Sequence, residues 1–87
     1  MVLAKQLLRA ATSIGANVVE ATGAGSKKDF INFFTIALKS ARETQYWLYL
    51  FRESGKGDQN AVRELLDEAG QLTKMLSSSI LTAKGHR

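Results

Sequence analysis

Ser13-Ile14-Gly15-Ala16-Asn17-Val18-Val19-Glu20-Ala21 is the stretch on which the fold turns. Its isoleucine and valines keep helical spacing, yet Gly, Ala and Asn stand side by side among them. A glycine inside a helix costs about 1 kcal/mol relative to alanine. Close approach of another helix at Gly15 is the expected compensation, and Ala10, Ala11 and Ala16 fit the same picture. Reading outward, Leu3, Leu7, Ala10, Ile14, Asn17 and Ala21 recur at helical steps, with Leu8, Ala11, Gly15, Val18 and Thr22 beside them. This pattern predicts a helix with a wide buried face over about residues 2–22. Gly23 and Gly25 follow it, and a positive φ is expected there.

Ser26 opens the next helix, over about residues 26–54, with Asp29 placed for a variant of the capping box. One apolar seam runs through Phe30, Phe34, Ala37, Ala41, Thr44, Leu48 and Phe51. A second holds Phe33, Ile36, Ser40, Trp47 and Leu50. Two seams on one helix require more than one neighbour. Ser54-Gly55-Lys56-Gly57 forms the turn, and Asp58 is the expected N-cap of a third helix over about residues 59–83. Val62, Leu65, Leu66, Ala69, Leu72, Met75, Leu76 and Ile80 make its apolar face. Short connections imply antiparallel neighbours, and the two turns break the chain too early for a long two-stranded coiled coil. The fold class is all-α: an antiparallel helical bundle, in one domain spanning residues 1–87.

Composition narrows the function. A chain of 87 residues has a marginal core of its own, and without cysteine it has neither disulfides nor thiolate metal sites. The one histidine, His86, stands beside the C-terminus, so no zinc site is expected. No cofactor motif is present. The absence of proline suits long helices. No apolar run reaches membrane-span length, and Lys5 and Arg9 interrupt the first apolar stretch, so a cytoplasmic location away from membranes is expected. The net charge of +4 is uneven: residues 26–57 carry +3, and residues 58–87 balance at zero.

Five positions are candidates for interface or packing roles: Gly15, Asn17, Glu20, Glu43 and Trp47. Glu20 and Glu43 invite comparison with di-iron bundles, but the Glu-x-x-His repeats of those proteins are missing. Asn17, Glu20 and Glu43 are therefore expected to satisfy groups at helix crossings. The turn Gly23-Ala24-Gly25-Ser26-Lys27-Lys28 has neither the strand nor the spacing of a phosphate-binding loop, although an anion could sit at that helix start. Tyr46, Trp47 and Tyr49 pose a choice between base stacking and packing. Trp47 is read as an interface or core anchor. Lys27, Lys28, Lys39 and Arg42 are the candidate nucleic-acid-binding cations. They form a modest patch that repetition around an oligomer would enlarge.

Several segments, in order along the chain, resemble the 23S rRNA intervening-sequence proteins. They are Leu7-Leu8-Arg9-Ala10-Ala11, Ser13 to Glu20, Ser26 to Phe30, Ile36-Ala37-Leu38, Glu43 with Tyr46-Trp47-Leu48, and Thr73 to Lys84. The resemblance implies a four-helix-bundle pattern and ring-shaped homo-oligomers, pentamers among them. It also implies RNA or DNA as partner, because such genes can lie inside ribosomal RNA intervening sequences. The accessory variability-determinant protein of diversity-generating retroelements is similar, which adds a reverse transcriptase as a protein partner. Members of the family carry a further helix before the segment matching Val2 to Leu7, and this chain is expected to lack it. Three helices shaped for a fourth expose an apolar groove that monomers seldom tolerate, so self-association is expected. The sequence thus leads to a non-enzymatic oligomeric bundle that binds nucleic acid or ribonucleoprotein. A protein–protein scaffold without nucleic-acid affinity is the alternative.

Overall fold

The computed structural model describes residues 2–85, so His86 lies outside the described residues. Three helices account for nearly all of it: α1 (Val2–Thr22), α2 (Lys27–Ser54) and α3 (Gln59–Ala83). Their limits follow from local chemistry. Ser26 Oγ accepts the Asp29 amide at 3.1 Å and so caps α2. Asp58 Oδ1 accepts the amides of Asn60 at 3.0 Å and Ala61 at 3.3 Å, which starts α3. Gly55, at φ 69°, closes α2 in the left-handed region that glycine occupies without steric cost. The end of α1 differs from expectation. The positive-φ glycines are Gly55, Gly57 and Gly85, whereas α1 ends in tight turns from the Gly23 amide to Glu20 O and from the Ala24 amide to Ala21 O. Three-residue closures of this kind satisfy terminal carbonyls without a left-handed residue.

The helices lie side by side in one layer, with α2 in the middle. Principal extents of 43 × 25 × 14 Å describe a slab three helices wide and little more than one helix thick. Both outer helices run antiparallel to α2. On one side Arg9 lies beside Glu43 and Ser13 beside Ser40; on the other Gln45 pairs with Thr73. Among the described residues no Cα of α1 comes within 8 Å of a Cα of α3. The outer helices meet only through side chains, over a strip of α2 where Ala37 and Ala41 are fully buried. There Ile14 from α1 and Leu76 from α3 close the core, with Val18, Phe34, Leu38 and Leu72 packed against them.

The close approach expected at Gly15 is therefore absent within the chain. Gly15 is exposed, and a Cβ placed on it would meet nothing within 4 Å. The small residues that permit close packing sit on α2 instead, at Ala37, Ser40 and Ala41. The Ser40 hydroxyl donates to Ser13 Oγ at 2.8 Å, giving a polar group at the α1–α2 crossing its partner.

Candidate functional site

The layer has two unlike faces. On one, an open groove of about 450 Å³ lies between α1 and α3 above Thr44 and Leu48. Leu8, Ala11, Leu65 and Leu72 line it, and Glu68 supplies its one charged group. Leu8 is 68% exposed and Leu65 45%, which is unusual for leucines on the inward side of a helical pair.

The opposite face belongs to α2. At 100° per residue, Lys28, Lys39, Arg42 and Tyr46 lie roughly 140–160° around the helix from Thr44, so they point away from the groove. With Asn32 and Thr35 they form a stripe at steps of three and four residues, and every member is exposed. The stripe runs about 27 Å from Lys28 to Tyr46, with the partly exposed Glu43, paired to Arg9, flanking it on the α1 side. Tyr46 is 55% exposed, and its ring packs edge-on to Trp47 with centroids 5.0 Å apart. Tyr49 follows at the stripe's end, with the Arg52 guanidinium 4.9 Å from its ring centroid. Cations, hydrogen-bonding side chains and an accessible aromatic ring on one helix face are the groups that phosphates and bases engage.

Three of the four candidate cations thus share a face, and the fourth does not. Lys27 lies only about 100° from Thr44, turned toward the α3 side. Asn32 and Thr35 are additions that the structure makes to the candidate set, although the i+3/i+4 spacing that joins them to Lys28 and Lys39 is present in the sequence.

The remaining candidates do not assemble into a site. Asn17 Nδ2 donates to Ser13 O at 2.8 Å within its own helix. Glu43 lies 3.7 Å from Arg9, a partly exposed pair of small energetic weight. Glu20 is exposed, and the Ser13–Ser40 register puts it about ten residues of α2, or 15 Å, from the level of Glu43. These two carboxylates cannot act as a pair. Among the described residues no group of three His, Cys, Asp or Glu side chains could hold a metal ion. Among the described residues no helix is long and apolar enough to cross a membrane. Trp47 is half-buried, and its indole N–H is enclosed without an acceptor.

Comparison with known proteins agrees with this architecture. A crystal structure of a protein of unknown function from the S23 ribosomal protein family of Bacteroides thetaiotaomicron is 42% identical. It superposes with a TM-score of 0.87, and the match covers 92% of this chain and 74% of that one. No curated protein matches the chain. The model of the 23S rRNA-intervening sequence proteins matches residues 1–78, nearly the whole helical layer, and the chain belongs to that family.

Proposed function

We propose that this protein is a non-enzymatic, self-associating helical module that binds structured nucleic acid through the exposed stripe of α2. The observation that carries the reading is the alignment of Lys28, Lys39 and Arg42 with Asn32, Thr35 and Tyr46 on one uncovered face. Three cations on one chain give weak phosphate binding. Side-by-side repetition of the stripe in an assembly multiplies the counterions released, and affinity then falls steeply with salt. The name of the family, which refers to an intervening sequence in 23S rRNA, is consistent with an RNA ligand.

Fluorescence anisotropy with labelled structured RNA and duplex DNA, across a salt series, tests the proposal. Submicromolar binding near physiological salt with a steep log–log slope is the expected result. The double variant Lys39→Glu/Arg42→Glu should weaken binding and lower the magnitude of the slope by about one unit for each phosphate no longer engaged. Lys27→Glu, off the stripe, should do less. Equal effects from Lys27 and the stripe cations would show that the face has no special role.

A second reading, a protein–protein scaffold without nucleic-acid affinity, draws support from the groove, which is apolar and ready-formed. Binding that vanishes at moderate salt and ignores the stripe variants would favour it.

A further inference from the structure

We infer that the α2 stripe is fitted to the minor-groove face of double-stranded RNA, and not to duplex DNA or to a single strand. The inference rests on the nucleic-acid reading above and names the ligand class of that same site.

Shape gives the first argument. Ser40 meets α1 through Ser13, and Gln45 meets α3 through Thr73. These two contacts lie about 140° apart around α2. With axes about 9 Å apart, both outer helices then sit only about 3 Å behind α2 as seen from the stripe. The stripe is the low crest of a surface 25 Å wide, and α2 does not project as a free helix. The major groove of B-DNA is about 12 Å wide and 8.5 Å deep. It is too narrow to admit a slab of this width. It is also too deep for short side chains such as Asn32 and Thr35, on so low a crest, to reach base edges. The minor groove of B-DNA is narrower still. The minor groove of A-form RNA is wide and shallow, and a nearly flat surface can lie against it.

Pattern gives the second argument. Lys28 and Lys39 stand about 16 Å apart along the helix. Asn32 and Thr35, both exposed and neutral, occupy the interval on the same face, and Arg42 follows Lys39. A cation at each end with hydrogen-bonding groups between them matches a groove, with phosphates at its two rims and, in RNA, 2′-hydroxyls displayed between. The Thr35 hydroxyl donates to Ile31 O at 2.7 Å, so its oxygen is left to accept. Asn32 can both donate and accept. A 2′-hydroxyl also does both, and it is the group that DNA lacks. Single strands ask for something else, a series of accessible rings on which successive bases stack. Between Lys28 and Arg42 the stripe presents none. Phe30, Phe33 and Phe34 are half-buried on other sides of α2.

Anisotropy competition with the full chain tests this, using short blunt duplexes of one sequence as RNA, as DNA and as 2′-fluoro RNA, which keeps the A-form without the hydroxyl. At one salt concentration the RNA duplex should bind at least about tenfold more tightly than the DNA duplex, because two neutral hydrogen bonds are each worth roughly three- to tenfold. The 2′-fluoro duplex should fall between them. Asn32→Ala with Thr35→Val should remove most of the preference and leave DNA affinity and both salt slopes unchanged, since no charge is lost. Both positions are exposed, so far-UV circular dichroism should not change. Failure of every nucleic acid to bind overturns the stripe reading and this inference with it. Equal affinity for RNA and DNA duplexes, still weakened by Lys39→Glu/Arg42→Glu, overturns this inference alone. Tighter binding of the unpaired strand does the same, as does an RNA preference untouched by Asn32→Ala/Thr35→Val.

Discussion

Replacing Gly15 with alanine should stabilise the protein. Gly15 sits well inside the 21 residues of α1, where fraying does not dilute the effect. It is exposed, and an added Cβ meets nothing within 4 Å. The methyl group therefore introduces no clash and lowers the conformational entropy of the unfolded chain. The full difference in helix propensity is recovered, about 0.8–1 kcal/mol. For a domain of this size that corresponds to a rise in Tm of roughly 4–8 °C. The assay is thermal unfolding followed by far-UV circular dichroism, at matched protein concentrations because any self-association would make Tm concentration-dependent. A Tm that falls or stays level would refute the reasoning, since it would mean that the Gly15 backbone is closely approached after all.

Ala41→Leu should do the reverse. Ala41 is fully buried against Ile14 and Leu76, and overpacking there should cost about 1–3 kcal/mol in urea unfolding; a neutral result would mean the crossing is looser than it looks. Trp47→Phe should change stability by less than about 1 kcal/mol, because the smaller ring area is offset by removal of an enclosed N–H with no acceptor. A loss above about 2 kcal/mol would mean that this N–H finds an acceptor in the assembled protein.

Helix positions are legible in the sequence because they depend on local signals. Ser26 and Asp58 cap as their side chains predict, and Gly55 takes the left-handed conformation its turn needs. Which faces end up buried is legible only in part. The predicted faces of α1 and α3 include Leu8, Leu65 and Met75, all of which the single chain leaves exposed. Periodicity reports that a face is apolar and cannot report whether the same chain supplies its cover. Gly15 misleads for a related reason. A glycine is equally compatible with close approach and with empty space, and the approach falls at Ala37 and Ala41, where alanine, a strong helix former, gives no local sign of it. On the candidate site, three of the four cations lie together, but basic residues taken by type alone carry no phase. Phase becomes visible once Thr44 and Leu48 fix which side of α2 faces the groove.

The two faces constrain one another. A polyanion-binding stripe is useful only if it stays uncovered, and a slab with an apolar groove stays soluble only if that groove is covered. On a helix packed all round, these demands would compete for the same surface. Here α2 meets both because its neighbours stand to either side, leaving Thr44 and Leu48 on one face and Lys39, Arg42 and Tyr46 on the other.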